Sequence, residues 1–256
     1  HPVPGTPHTR SPVDTDTAVE QHSPGLSLLL HLAPGAAVAL GYFLLAPVLR
    51  NWGLPSIAAL MISAALVLTP FELGYLLREG RRKNGRYSLQ GVVLYRTPLP
   101  IWQYFIWVPA LFVIVGVIFT VMKPVDVALQ ETLFAWVPTL ESGLTAEYSR
   151  AALIWTYALV AVFGAVVGPV VEEFYFRGFL LPRMRYAGRW APALHSLLFA
   201  VYHFWTPWQF ITRTLGMIPM AYVAKRRNLY VTIIVHVLVN SLDVIAAVTF
   251  IAAMTR

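Results

Sequence analysis

The sequence predicts an all-α protein, a polytopic helical membrane bundle with about seven transmembrane helices and a range of six to eight. Hydrophobic residues make up 57% of the 256 positions and charged residues only 12%, more apolar than a soluble domain. Apolar stretches also recur near the length of about 20 residues that crosses about 30 Å of hydrocarbon. They cover residues 26–49, 54–78, 101–122, 150–172, 191–206, 208–224 and 229–253.

Residues 1–25 precede the first window and are predicted to form a flexible cytoplasmic tail. Pro, Ser, Thr and His dominate them, so little apolar surface is available for burial. Residues 26–256 are predicted to form one transmembrane bundle, with 150–245 as its catalytic core. The chain has no cysteine, which excludes a disulfide framework, a thiol nucleophile and a cysteine-ligated zinc.

The later windows differ in length and regularity. Val125–Pro138 is amphipathic and is predicted to lie on the outer surface as a short interfacial helix. The apolar run from Ala151 to Leu181 is too long for one straight span at about 1.5 Å per residue. Pro169 is the predicted kink, with Gly164 and Gly168 allowing close packing beside it. The fifth and sixth windows are short, which sets the range of six to eight spans.

The net charge of +7 is distributed as in a membrane protein rather than a nucleic-acid-binding protein. Basic residues are concentrated in alternate connectors, which the positive-inside rule places in the cytoplasm together with the N-terminus. Seven spans would then leave the C-terminus outside. We expect contact with the lipid bilayer and no nucleic-acid partner. The basic clusters are Arg78, Arg81, Arg82, Lys83, Arg86 and Arg96, then Arg183, Arg185 and Arg189, then Lys225, Arg226 and Arg227.

Three short segments place reactive side chains inside apolar windows. Glu172-Glu173-Phe174-Tyr175-Phe176-Arg177 lies in the fourth window, Phe199 with His203 in the fifth, and His236 with Asn240 in the last. Ionisable groups within a membrane are costly and indicate a functional site. Counted from the basic connectors, Glu172, His203 and His236 lie at similar depths of roughly 13–18 Å, so they can share one site.

Helical spacing separates the roles within these segments. Glu173 and Arg177 are four residues apart and can pair on one face, while Glu172 points about 100° away around the helix and stays free. His236 and Asn240 also share a face. The Asn240 carboxamide donates hydrogen bonds without titrating, which suits a developing oxyanion.

Taken together, the three segments resemble the motifs of the CPBP family, the membrane proteases that include type II CAAX prenyl endopeptidases and the bacteriocin-processing and self-immunity proteins. That family's motifs read E-E-x-x-x-R, F-x-x-x-H and H-x-x-x-N. They stand complete here, in order, over about residues 170–245, and the Phe176-Arg177-Gly178-Phe179-Leu180 run is also family-like.

The resemblance implies an intramembrane endopeptidase of the glutamate type without a cofactor. Glu172 with His203 would activate the attacking water, and His236 with Asn240 would hold the oxyanion. Glu173 and Arg177 would support the helix that bears Glu172. A zinc-dependent variant is the alternative, because Glu172, His203 and His236 could ligate zinc with water in the fourth position. No H-E-x-x-H helix is present, and this favours the metal-free mechanism.

Other polar residues in the windows have structural interpretations. His31 and His195 are predicted to be satisfied core histidines. Asp243 lies seven residues beyond His236 on the same face, so it could orient that imidazole or equally serve packing or a water-lined wall. Glu72 and Arg213 fall near the predicted ends of their windows and are expected to reach the membrane interface.

The sequence thus predicts an integral, multi-pass membrane endopeptidase that cleaves near the cytoplasmic side. Its expected substrate is a peptide or protein, and membrane-anchored or prenylated chains are among the candidates. One rival class is a non-catalytic membrane scaffold or chaperone of the same fold that regulates or assembles a membrane partner. The intact Glu172, His203 and His236 argue against it. Another is a transporter with a midplane proton relay, which related halves of the sequence would favour.

Overall fold

The structure is a computed structural model that describes residues 19–254, and these residues form eight helices and no strand. The predicted all-α bundle is therefore confirmed. The helices are α1 (Pro24–Asn51), α2 (Ser56–Asn84), α3 (Ile101–Val121), α4 (Lys123–Glu131), α5 (Arg150–Arg183), α6 (Ala191–Tyr202), α7 (Phe210–Arg226) and α8 (Leu229–Ala253).

Five helices, α1, α2, α3, α5 and α8, are long and apolar enough to cross a membrane. Only 17% of the most apolar window of α3 and 22% of that of α8 is buried, so their outer faces present apolar side chains such as Phe105 and Val248. An exposed apolar surface of this extent suits contact with lipid. The chain is an integral membrane protein.

The fifth and sixth predicted windows form α6 and α7, which have 12 and 17 residues and pack against each other as a hairpin. At about 1.5 Å per residue, α6 rises only about 18 Å. The turn of this hairpin therefore lies inside the bundle. There Thr212 donates to Asp126 of α4 over 2.5 Å, and the rings of Phe134 and Phe210 lie 6.4 Å apart. The predicted amphipathic segment is helical only over Lys123–Glu131.

Polar side chains fix where the helices begin. The Ser23 hydroxyl accepts from the Leu26 backbone N–H, and the Ser149 hydroxyl accepts from that of Ala152, at the first turns of α1 and α5. Asn228 does the same for Tyr230 at the start of α8, over 2.6 Å. These N-caps satisfy donors that lack a partner within the helix.

The three basic connectors meet at one end of the bundle. The backbone N–H of Leu94 donates to the Gly178 carbonyl, and that of Leu229 donates to the Tyr95 carbonyl. Arg183 donates to the Val92 carbonyl over 3.3 Å. The α2–α3, α5–α6 and α7–α8 connections are therefore held together, as expected if they lie on one side of the membrane.

The opposite end of the bundle is formed by the α1–α2 turn and the segment between α4 and α5. Ser56 accepts from the backbone N–H of Glu141 over 2.8 Å, and the Ile57 N–H donates to the Glu141 carbonyl over 3.1 Å.

Part of the predicted tail is held against the basic end. Residues 1–18 and 255–256 lie outside the described residues, but the His22 backbone N–H donates to the Arg183 carbonyl and Gln21 donates to that of Pro182. Burial, together with the nearby Arg183 guanidinium, lowers the pKa of His22 to about 4. Segment 19–23 is thus part of the bundle, and α1 begins at Pro24.

The winding of α5 changes around Pro169, the residue predicted to interrupt it. Wider π-helical turns cover Val160–Val167 and Glu173–Leu180, and Gly168–Glu172 between them is α-helical. A Cβ at Gly168 would overlap the Phe163 carbonyl oxygen, so only glycine fits at the change of winding. Glu172 and Glu173 stand on either side of the second change, and π-turns often mark functional sites.

A second glycine brings α1 close to α6. A Cβ at Gly35 would overlap the carbonyl oxygen and ring of Tyr202, so this glycine permits the two helices to touch. The Tyr202 ring packs 4.8 Å from Phe176 and 5.6 Å from Trp205. This packing fixes the end of α6 beside the two glutamates of α5.

Candidate active site

The predicted site residues line one cavity of about 300 Å³. Glu172 comes from α5, His203 from the residue that follows α6, and His236 and Asn240 from α8. Their convergence was expected from their similar depths along three helices. The cavity is lined mainly by apolar side chains, so the few polar groups in it are concentrated around Glu172.

The Glu172 carboxyl group is nearly buried and has two polar neighbours. Its Oε2 lies 3.8 Å from Nε2 of His236, and its Oε1 accepts a hydrogen bond from the Tyr202 hydroxyl over 3.0 Å. No arginine or lysine in the described part of the chain forms an ion pair with it. Glu172 is therefore held in place but not neutralised by a strong cation.

Glu173 and Arg177 form the ion pair that their spacing predicts, and both side chains are fully buried. Arg177 also contacts the Met217 sulfur over 2.9 Å and stacks on the Phe199 ring at 5.1 Å. Oε2 of Glu173 accepts from the Thr232 hydroxyl over 2.7 Å. The Glu173–Arg177 pair of α5 therefore contacts α6, α7 and α8 next to the cavity.

Glu173 also orients His236. Nδ1–H of His236 donates to Oε1 of Glu173 over 2.9 Å, so Nε2 of the same ring points to Glu172. The interpretation of Asp243 as the orienting acid is therefore wrong. Asp243 lines the cavity without a hydrogen bond to the imidazole, because a carboxylate of α5 already occupies Nδ1.

His203 is oriented by its own helix. Its Nδ1–H donates to the Phe199 carbonyl over 2.8 Å, and its ring packs edge-on against Phe199 at 4.9 Å. A carbonyl oxygen only accepts, so Nδ1 carries the proton. In the neutral ring Nε2 is then a hydrogen-bond acceptor.

Asn240 uses one of its donors within the bundle. Its Nδ2 donates to the Gly164 carbonyl over 2.9 Å, in the π-helical part of α5. The carboxamide nitrogen has a second N–H. One donor therefore fixes the side chain, and one remains for a ligand in the cavity.

Two polar residues that were expected near the interface belong to this region. Glu72 is fully buried, and the Tyr202 hydroxyl lies 3.3 Å from its Oε1. Arg213 lines the cavity and donates to Thr206 and Gln209. The expectation that Glu72 and Arg213 reach the membrane interface is therefore wrong. In both cases the helix begins or ends at a different residue from the apolar window. α2 continues to Asn84, and α7 begins at a hairpin turn inside the bundle.

The polar residues near the site that sequence reasoning did not select include Tyr202, Glu72 and Arg213, and the cavity lining adds Thr206 and Gln209. Nothing in the sequence indicates that Tyr202 belongs to the site, because tyrosine and tryptophan residues close together, such as Tyr202 and Trp205, are typical of a membrane interface. Glu72 and Arg213 did have one, because an ionisable residue in an apolar stretch indicates function by itself.

The two remaining helix histidines lie in the core, as predicted, but they are not both satisfied, because Nε2 of His195 is buried and has no hydrogen-bond partner among the described residues. His31 and His195 are fully buried, with Nε2 of His31 and Nδ1 of His195 3.1 Å apart. Nδ1 of His31 contacts the Ser27 carbonyl over 2.7 Å. Neither residue lines the cavity.

The spacing of the acidic and imidazole groups does not fit a preformed metal centre. Between residues 19 and 254, no three His, Cys, Asp or Glu side chains are grouped closely enough to hold a metal ion. Glu172, His203 and His236, the ligands of the zinc-dependent alternative, share the cavity without forming such a group.

Comparison with known proteins gives one match. Residues 153–242 match the family model described as type II CAAX prenyl endopeptidase Rce1-like. The matched stretch is about a third of the chain and contains all three motifs. This confirms the resemblance to the CPBP family of CAAX-type intramembrane proteases. Among curated proteins and solved structures, nothing matches the chain.

Proposed function

We propose that this chain, whose residues 153–242 form an Rce1-like domain of the type II CAAX prenyl endopeptidase family, is an intramembrane endopeptidase with Glu172 as its general base. The observation that supports this best is the position of the Glu172 carboxyl group. It faces the cavity beside His236 and forms no ion pair with an arginine or lysine in residues 19–254, while its neighbour Glu173 takes the arginine. A carboxylate left free in a largely apolar cavity is suited to accept a proton.

The attacking water would lie between Glu172 and His203. Oε2 of Glu172 takes one proton from the water, and Nε2 of neutral His203 accepts a hydrogen bond from the O–H that remains on the attacking oxygen. The oxygen attacks the carbonyl carbon of the scissile bond. Glu172 then passes the proton to the leaving amine, which closes the proton balance of the hydrolysis.

The carbonyl oxygen would be held by Asn240 and His236. Asn240 supplies the second N–H of its carboxamide. His236 supplies Nε2–H when both ring nitrogens carry protons, with Glu173 on Nδ1 and Glu172 3.8 Å from Nε2 to balance the charge. Asp243, which lines the cavity beyond Asn240, takes no part in this sequence of steps.

The scissile bond would lie in the half of the bundle nearer to the basic connectors. Glu172 is 11 residues from Arg183 and 22 residues from Arg150 along α5. Under the positive-inside rule this half is cytoplasmic, and so is the N-terminus. The cavity itself extends from Glu172 towards the other end of the bundle, where Ile57, Leu140 and Phe119 line it.

The substrate class follows from the family and the cavity. The family name refers to prenylated CAAX peptides, and for this chain we propose a peptide or protein segment that enters from the membrane, with or without a prenyl group. The apolar lining suits apolar residues on either side of the scissile bond.

Substitution of Glu172 by Gln tests the proposal. The amide keeps the volume and accepts from Tyr202, but it cannot take a proton. We expect cleavage of a reporter peptide by the purified protein to fall about a hundredfold or more, with unchanged abundance and thermal stability. Full activity in Glu172→Gln would exclude this base and favour a non-catalytic scaffold of the same fold.

A further inference from the structure

The cavity contains a cation that the catalytic steps do not use. Arg213 projects from the first turn of α7, and its Nη2 donates to the Gln209 carboxamide over 2.7 Å and to the Thr206 hydroxyl over 3.3 Å. Both partners are neutral. Its Nη1 is buried and has no hydrogen-bond partner among the described residues.

No carboxylate neutralises this guanidinium. Glu172 and Asp126 are the acids whose charges act on it most strongly, but neither forms an ion pair with it in residues 19–254. Asp126 is engaged by the Thr212 hydroxyl over 2.5 Å, and Glu172 by Tyr202. An arginine inside a membrane protein normally has a partner, because an unpaired buried charge is costly.

Two ordinary roles do not account for the charge. The first role is structural, since Arg213 connects Thr206 and Gln209 across the α6–α7 turn. A neutral hydrogen-bond donor would be sufficient for that role. A direct ion pair with Glu172 would need contact between the two side chains, and residues 19–254 contain no such contact. Gln209 instead holds Nη2 of this cavity-lining residue, and Nη1, which has no partner among the described residues, is left as a donor for a planar anion.

We infer that Arg213 binds a carboxylate of the peptide substrate. The inference rests on the proposed peptidase function and adds a specificity-determining residue to it, because Arg213 holds a carboxylate of an apolar peptide close to the scissile bond. That carboxylate is either the free C-terminus or an Asp or Glu side chain. Arginine forms two parallel hydrogen bonds to either group, and the apolar walls of the cavity strengthen them.

Binding to the inactive Glu172→Gln protein separates this inference from catalysis. The probes are a dye-labelled octapeptide of Leu and Ala in three forms: with a free C-terminal carboxylate, with a C-terminal amide, and with an amide plus Asp at the last position. Fluorescence anisotropy in detergent gives the three dissociation constants. We expect one carboxylate form to bind about tenfold or more tightly than the plain amide, a preference of about 1.4 kcal/mol.

Variants of Arg213 assign that preference to the guanidinium. In Glu172→Gln/Arg213→Gln the three peptides should bind alike, whereas Arg213→Lys should keep part of the preference. Arg150→Gln removes the same charge from the exposed start of α5 and should change nothing. Thermal unfolding of each variant controls for folding, and Arg213→Lys serves if Arg213→Gln does not fold.

The peptide that binds most tightly identifies the source of the carboxylate. Tighter binding of the free carboxylate means a C-terminal anchor, and tighter binding of the Asp peptide means a side-chain anchor. Equal binding of all three peptides, failure of all three to bind, or a preference that survives in Arg213→Gln overturns the inference. Failure of the proposed function appears separately, as a wild-type protein that binds these peptides and cleaves none.

Discussion

His236 donates its Nδ1–H to Glu173, the second glutamate of the E-E-x-x-x-R motif, over 2.9 Å. The motif therefore has two functions from adjacent residues. Glu172 faces the cavity as the proposed base, and Glu173 orients an imidazole from another helix while it pairs with Arg177. The same contact sets the direction of Nε2, on which the proposed oxyanion contact depends.

Substitution of Glu173 by Gln should lower turnover, because the neutral amide no longer balances a protonated His236. Partners that orient metal-binding histidines typically contribute about 10–100-fold in activity, and we expect a loss of similar size in kcat when this imidazole loses its carboxylate partner. Thr232→Val is the matched control, since it removes the hydroxyl contacts to Oε2 of Glu173 and to the Leu229 carbonyl but leaves the charge of Glu173 unchanged. Equal losses in the two variants would mean that packing around Glu173, not its charge, supports catalysis.

Arg177→Ala should reduce the amount of folded protein. It leaves Glu173 as a buried, unpaired carboxylate and removes contacts to Met217 and Phe199. Breaking a buried pair by removing one partner costs roughly 3–5 kcal/mol. Arg82→Ala is the control, because Arg82 pairs with Glu79 and Glu20 at the exposed surface, where such pairs contribute about 0–1 kcal/mol. Abundance in membranes and the midpoint of thermal unfolding measure both, and an Arg177→Ala protein as stable as Arg82→Ala would contradict the buried-pair argument.

Tyr202→Phe should lower cleavage by about tenfold and should also reduce stability, because it removes the hydroxyl donor of two buried carboxyl groups. The hydroxyl lies 3.0 Å from Glu172 and 3.3 Å from the buried Glu72, and it carries one proton for two carboxyl groups. It therefore satisfies one carboxylate at a time, and the other must carry a proton to bond to it. A hydrogen bond to a charged group contributes about 1.5–3 kcal/mol. The ring contacts to Phe176 and Trp205 remain in the phenylalanine variant.

Glu72→Gln is the companion variant for Tyr202. It removes the second carboxyl group but keeps Tyr202 beside Glu172, so most of the cleavage activity should remain. If Tyr202→Phe cleaves at the wild-type rate, the hydroxyl serves only the packing of α2 against α6.

Much of this site was predictable from the sequence, because ionisable residues in apolar helices are rare and their spacing is fixed by the helix. The segments that supply Glu172, His203, His236 and Asn240, and the Glu173–Arg177 pair, follow from that spacing alone. The partners of these residues do not, because they depend on which helices touch. Glu173 of α5 contacts His236 of α8, although the two residues are 63 positions apart in the sequence. Gly35 allows the backbone of Tyr202 to approach α1, and no periodicity in the sequence indicates this contact.

Helix ends limited the prediction as well. Window edges placed Glu72 and Arg213 near the membrane surface, yet α2 extends past its apolar part into Arg81, Arg82 and Lys83, and α7 starts within the bundle. A hydropathy window measures where the apolar composition stops, whereas a helix stops where its backbone finds a cap such as Gly85 in the left-handed conformation.

The orientation in the membrane is testable because the chain has no native cysteine. We expect Arg86→Cys, in the basic α2–α3 connector, to react with a membrane-impermeant maleimide only after cells are permeabilised. Glu131→Cys, at the exposed end of α4, should react in intact cells. The unmodified protein supplies a background without labelling. The reverse pattern would place the basic end outside and the proposed site in the outer half of the membrane.

The surroundings of the two imidazoles bear on whether the site uses a metal ion. Both imidazoles have the Nδ1 partner that zinc-bound histidines usually have, a carboxylate for His236 and a backbone carbonyl for His203. Nδ1 contacts therefore do not separate the two mechanisms. The ligand spacing favours the metal-free mechanism, because no three acidic or imidazole groups in the described part of the chain are close enough to share a metal ion. Asn240, a poor zinc ligand, also lies beside His236 in the cavity, where an oxyanion donor is needed.

We therefore expect cleavage to survive prolonged treatment of the purified protein with a strong chelator, and elemental analysis to show well under one metal ion per chain. Glu172→Gln should still abolish turnover in the chelated protein, which distinguishes loss of the base from loss of a ligand. His236→Ala and His203→Ala, analysed alongside, should leave the metal content unchanged. A stoichiometric zinc whose removal abolishes cleavage and whose return restores it would replace the glutamate-base mechanism and make Glu172, His203 and His236 its ligands, since the three side chains would then have to move together around the ion.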